Sequence, residues 1–210
     1  MPGVEQLIPI SEERVAVVGE VDVKFLDTIS GKVVSTIPVL QGEVLTCNSK
    51  CQLLIERTLF PLPCSCSLQL LDGKTVVWGK EGINRYPGDK GVAFSPMEQF
   101  LVVDTTDGFL VLDAETGNTL RSLGPFSFLR HCTFISEDTC VISRFVSTVR
   151  LSNVKSGEIL TEIDVESPVI CLSACPFNRV LAIGLKDSTL NFKVIRVHLP
   201  RGEDRGNMER

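Results

Sequence analysis

The sequence predicts an all-β fold, and three observations carry that reading. A phrase of about forty residues comes round five times. Each copy consists of short apolar runs, some with the period-two alternation of a strand buried on one face, as in Val21, Val23 and Phe25. Apolar residues at helical spacing are nowhere sustained over about ten residues. Two marks keep step within the phrase. A polar turn recurs as Ser11-Glu12, Ser49-Lys50, Ser95-Pro96, Ser136-Glu137 and Cys175-Pro176. Further on, Asp or Asn stands four residues before Gly in Asp27 with Gly31, Asp113 with Gly117 and Asn153 with Gly157, contracted in the second copy to Asp72-Gly73. A small sheet cannot bury both faces alone and must stack on its neighbours. The period therefore implies a β-propeller of about five four-stranded antiparallel blades.

The first unit, 4–40, reads as strands at Gln6–Ser11, Arg14–Glu20, Asp22–Asp27 and Val33–Leu40, the last two turned by Ser30-Gly31. The second, 44–80, gives Val44–Ser49, Cys51–Thr58, Ser67–Asp72 and Thr75–Gly79. Its stretch from Leu59 to Cys66 holds Pro61 and Pro63, which have no N–H to give a ladder, and reads as a loop or an edge. The third, 88–124, is the clearest: Gly91–Pro96, Gln99–Thr106, Gly108–Asp113 and Leu120–Leu123. Its Asp107-Gly108 between apolar runs is a hairpin signal, because Gly takes the positive φ of tight turns. The fourth, 129–165, has His131–Ser136, Thr139–Phe145, Thr148–Asn153 and Ile159–Asp164. The fifth, 168–200, offers Val169–Pro176, Val180–Asp187 and one long run, Leu190–Pro200, without a separate fourth strand. The charged segment 201–210 lacks periodicity and is expected to be a disordered tail.

Composition narrows the function classes. A chain of 210 residues that is 43% hydrophobic can bury a sizeable core, and a net charge of −5 with scattered Lys and Arg provides no basic stripe. Nucleic acid and membrane surfaces are therefore not expected partners. No apolar run reaches the length of a membrane span, and Met1 to Gln6 lack the parts of a secretion signal, so a cytoplasmic location is expected. The eight cysteines read mostly as buried free thiols within strands.

In the third unit, Val92-Ala93-Phe94-Ser95-Pro96-Met97-Glu98-Gln99-Phe100-Leu101-Val102 resembles the first strand, Ser-Pro turn and second strand of a WD40 repeat. Leu172 to Gly184 repeats the likeness, and Lys186 to Leu190 resembles the family's second hairpin. The repeats are degenerate. Leu26-Asp27, Leu71-Asp72, Leu112-Asp113 and Ser152-Asn153 stand where the family closes its third strand with Trp-Asp, and the family's Gly-His is missing. The sole tryptophan, Trp78, falls on a fourth strand. Blades of this kind must be held mainly by apolar packing of residues such as Phe25, Val111 and Leu151. A quinoprotein-like propeller is the related alternative. The resemblance implies either a closed ring or an open, incomplete propeller, the C-terminal part of a larger protein of the NACHT-WD40 type.

Each candidate site meets a simpler reading. Cys47, Cys51, Cys64 and Cys66 supply four thiols but lack the Cys-x-x-Cys spacing that sets two sulfurs on one zinc ion, so strand cysteines are preferred. Cys64 and Cys66, on the loop, are the pair open to disulfide formation, and Cys171 with Cys175 repeats the Cys47–Cys51 spacing. His131 and Cys132 are adjacent in a strand and point to opposite faces, so they cannot share a proton; His198 has no acidic or hydroxyl neighbours. Asp27, Asp72 and Asp113 recur once per unit, which turn chemistry explains better than an acid pair. Gly31-Lys32 and Gly73-Lys74-Thr75 lack the glycine spacing and helix of a phosphate loop. No catalytic, cofactor or metal residue is assigned. The expected function is a non-catalytic protein-interaction scaffold for protein or peptide partners. The alternatives are a propeller hydrolase or quinone-dependent dehydrogenase with its site over the channel, and an assembly element that completes a ring with a second copy or with the further blades of a signalling ATPase.

Overall fold

The structure, a computed structural model, describes residues 4–39, 42–58, 65–85, 91–124, 129–144, 147–186 and 192–196. Among them are 19 strands in five antiparallel sheets and no helix long and apolar enough to cross a membrane. The first sheet is β1 (Val4–Ser11), β2 (Arg14–Gly19), β3 (Asp22–Asp27) and β4 (Val33–Pro38). The second is β5 (Glu43–Cys47), β6 (Leu53–Thr58), β7 (Ser65–Asp72) and β8 (Thr75–Asn84). The third is β9 (Val92–Phe94), β10 (Phe100–Thr105), β11 (Gly108–Asp113) and β12 (Thr119–Leu123). The fourth is β13 (Leu129–Ser136), β14 (Thr139–Arg144), β15 (Thr148–Asn153) and β16 (Ile159–Asp164). The fifth has three described strands, β17 (Val169–Cys175), β18 (Val180–Leu185) and β19 (Phe192–Arg196). Every sheet is a meander in which each strand pairs with the next.

The alternation read in the sequence decides how the sheets stack. In β10, Leu101 and Val103 point to one face and join Leu54, Leu68 and Leu70 of the second sheet. Val102, between them, points to the other face and joins Phe134, Cys140 and Ile142 of the fourth. The same split sends Ala16, Val18, Val23 and Phe25 of the first sheet onto Leu53 and Ile55 of the second. Val141, Val149 and Leu151 of the fourth sheet meet Leu181 and Ile183 of the fifth. Four apolar clusters thus fill the four gaps between consecutive sheets. Phe25, Val111 and Leu151 are each 0% exposed, as the packing argument expects, and side chains of this size contribute about 1.5–3 kcal/mol apiece.

The first strands of successive sheets are neighbours: β1 lies by β5, β5 by β9, β9 by β13 and β13 by β17. Three expectations need correction. β8 runs on to Asn84 instead of stopping at Gly79, with Gly82 at φ 71° and a register shift absorbed within the pairing to β7. β7 begins at Ser65, so Cys66 is a buried strand residue and not part of a loop. Cys171 and Cys175 are exposed, because they face away from the fourth sheet. Cys64, His198 and the tail 201–210 lie outside the described residues.

Candidate functional site

In an up-and-down meander the turn between strands one and two and the turn between strands three and four fall at the same end, so one rim of the stack carries both kinds. On this rim neighbouring sheets are tied turn to turn. Ser49 donates its backbone N–H to one Glu98 carboxylate oxygen and its hydroxyl to the other, the latter at 3.0 Å. Ser95 Oγ and the N–H of Met97 donate to Glu137 Oε1 and Oε2, each at 2.6 Å. Arg14 Nη1 reaches Cys51 Sγ at 3.3 Å between the first two sheets.

Beside these ties a cleft of about 680 Å³ opens between the second and third sheets, lined among others by Gln52, Leu70, Val77, Met97, Phe100 and Glu115. Trp78 forms part of the sheet-to-sheet packing here. Its Nε1 donates to Ala114 O at 3.1 Å, and its ring lies over Gly117, where an added Cβ would sit 2.6 Å from a ring carbon. A second cavity, about 330 Å³, runs among the first strands, past Ile8, Thr46, Ala93 and Thr133. Asn48 and Glu98 border both spaces, so cleft and cavity adjoin at the turn-bearing rim.

The opposite end of the same two sheets carries a buried ion cluster that the sequence did not reveal. Arg85, 1% exposed, donates from Nε to Asp104 Oδ1 at 2.8 Å and to Asp104 O at 3.1 Å. Its Nη2 reaches Asp104 Oδ1 at 2.5 Å, and Nη1 donates to Glu56 Oε2. The only sequence signal is a carboxylate interrupting the apolar face near the ends of β6 and β10. The two acids that do converge here, Glu56 and Asp104, are 6% and 2% exposed and engage Arg85.

The turn acids sit where their turns need them. Asp27 Oδ1 accepts from the N–H and hydroxyl of Ser30, at 2.6 and 2.7 Å. Asp113 Oδ1 accepts from the N–H and Oγ1 of Thr116, both at 2.8 Å. These donors hold both carboxyls below the usual 3.8. Asn153 Oδ1 does the same work without charge, accepting from the N–H groups of Lys155 and Ser156 at 2.9 Å. Asp72, in the contracted turn, pairs directly with Thr75. Asp113→Asn is therefore expected to leave stability within about 0.5 kcal/mol, whereas Asp113→Ala costs about 1 kcal/mol, as read from urea unfolding midpoints.

The thiols divide by environment. Cys47 packs between the first and second sheets and Cys66 between the second and third, so these two zinc candidates face opposite ways. No group of three metal-ligating side chains gathers among the described residues. Burial pushes the Cys47, Cys66 and Cys140 thiols up to about 12, with the Glu56 charge adding to the effect at Cys66. Cys132 moves in the same direction, through burial of its sulfur and then the Asp104 charge. Unfolded thiols ionise near 9.0, so the stabilising contribution is complete below pH 9 and is lost as pH climbs from there toward 12. Under reducing conditions the urea midpoint is expected to fall between pH 8 and pH 10.5, and to fall less steeply in Cys140→Ala. At pH 8, Cys171 and Cys175 should react with a thiol reagent in the folded protein, and Cys47, Cys66 and Cys140 only on unfolding.

No protein-family model matches the chain, and no curated protein matches it as a relative.

Proposed function

We propose that the chain is a WD40-like β-propeller, either closed or the open C-terminal part of a larger one, and that it works as a non-catalytic scaffold presenting its turn-bearing rim to protein or peptide partners. The observation that supports this reading is that β1, β5, β9 and β13, each beside the next, line one shared cavity. Blades set around an axis require that placement of first strands. Where cavity and cleft adjoin, Leu70, Val77, Met97 and Phe100 offer an apolar seat, while Glu98, Asp113 and Glu115 outnumber Lys50 around it and favour a segment that brings a basic residue beside its apolar anchor. The reading assigns the scaffold to the reducing cytoplasm, where exposed thiols such as Cys171 and Cys175 stay reduced.

A photoreactive amino acid at Met97, 68% exposed, tests it against one at Leu120, 51% exposed on the outer strand β12. Capture of the same cytosolic protein from Met97 and not from Leu120 is expected. Equal capture from both positions, or from neither, counts against the scaffold reading.

A further inference from the structure

The turn-to-turn ties have a direction. In the two made by carboxylates, the acid on the later sheet is gripped by a hydroxyl and a backbone N–H from the earlier one: Ser49 on Glu98, then Ser95 and Met97 on Glu137. The first sheet carries the receiving half of such a tie with nothing in it. Ser11 pairs with Arg14 as Ser136 pairs with Thr139, and Thr28 N donates to Glu13 O as Val154 N donates to Asp138 O. Glu12 therefore stands where Glu137 stands, and its carboxylate, exposed, meets no donor among the described residues. The face beneath it also matches. Leu7, Val15, Val17 and Leu26 occupy the register of Cys132, Cys140, Ile142 and Ser152, which in the fourth sheet lie toward the third. Here Leu7 is 62% and Val33 52% exposed, and Val15, Val17 and Leu26 are half-buried where Cys140, Ile142 and Ser152 are buried.

The fifth sheet carries the giving half. Cys175-Pro176-Phe177 repeats Ser95-Pro96-Met97, since Cys175 pairs with Val180 across the same span that joins Ser95 to Phe100. Ala182 and Val194 stand where Val102 and Val111 stand. Val111 is 0% exposed under the fourth sheet, whereas Val194 is 68% and Phe177 95% exposed. Both halves of one joint are thus open in the same chain.

We propose that the joint is made between copies: the outer face of the fifth sheet of one chain docks on the outer face of the first sheet of another, with Cys175 and the Phe177 N–H on Glu12. It continues the interface already repeated between consecutive sheets. An apolar face this open is a docking surface, and a head-to-tail joint propagates until a ring closes. The inference rests on the stacking of the sheets and stands independently of the rim cleft.

Light scattering on the full chain and on two variants tests it. Leu7→Glu spoils the receiving face and Val194→Glu the giving face; both positions are exposed, so circular dichroism should remain that of the wild type. The wild type is expected to scatter as an assembly of more than one chain, and each variant alone as a single chain. An equal mixture should give a pair of twice the chain mass, since each variant retains the half the other lacks. Glu12→Arg should weaken assembly by roughly tenfold. A wild type of single-chain mass, which includes a chain closed on itself, would overturn the proposal, as would variants that associate alone or a mixture that forms no pair. If a glutamate variant fails to fold, wild-type mass and the Glu12→Arg comparison decide.

Discussion

Arg85→Met is expected to destabilise the protein by about 3–5 kcal/mol, because it removes the cation from two carboxylates that stay buried. In a domain of this length such a loss lowers the thermal midpoint by on the order of 10 °C. The reasoning turns on cost and not on the strength of the pair. Arg85 is 1% exposed, and Glu56 and Asp104 are nearly as deep, so their charges have exchanged water for one another. Relaxation offers little relief at Asp104, since a Cβ added at Gly91 would lie 2.9 Å from the Asp104 side chain. Adding Glu56→Gln and Asp104→Asn to Arg85→Met should recover part of the loss, because neutral amides do not need the cation. A single-variant loss below about 1 kcal/mol in urea unfolding would show that the cluster is far better solvated than its burial implies.

Gly117→Ala should cost about 2–5 kcal/mol and be visible at one chromophore. At φ 71° an L side chain is strained by about 1–2 kcal/mol, and the new methyl would also meet the Trp78 ring at 2.6 Å. A rigid indole held by its bond to Ala114 O must then move, and with it the packing of β8 on the third sheet. As the sole tryptophan, Trp78 should report this as a red-shifted, quenched emission in the folded state. Gly157→Ala is the control. Its φ of 77° imposes the same backbone strain, but the methyl meets only the flexible Arg121 side chain, at 3.1 Å, so the cost should stay near 1–2 kcal/mol with Trp78 emission unchanged. Equal effects of the two substitutions would mean that the indole yields freely.

What the sequence made legible was whatever is local to one unit. The Asp27, Asp113 and Asn153 turns follow from short-range hydrogen bonding, and the alternation about Phe25, Val111 and Leu151 follows from the strand period, so both were readable from neighbouring residues. The Arg85 cluster was not. Its three members come from β6, β10 and the residue after β8, and they meet only because the second sheet stacks on the third. Exposure of Cys171 and Cys175 was hidden for the same reason. Their strand reads as half-buried, and which half depends on where the neighbouring sheet lies. β8 outruns the Thr75–Gly79 strand expected from the sequence because a register shift in its pairing with β7 accommodates the residues beyond Gly79. The ties made by Glu98 and Glu137 needed distances between turns of different units, which no spacing within one repeat contains.

Because each sheet packs mainly on the ones before and after it, cooperativity in this molecule is a nearest-neighbour property, as in a one-dimensional chain of coupled units. The second, third and fourth sheets are each flanked by two apolar clusters and are expected to open most slowly, whereas the first and fifth each have one coupled side and are expected to fray first. Amide protection is therefore expected to grade inward from the first and fifth sheets, and any partner that caps an end would lengthen the cooperative unit by one neighbour.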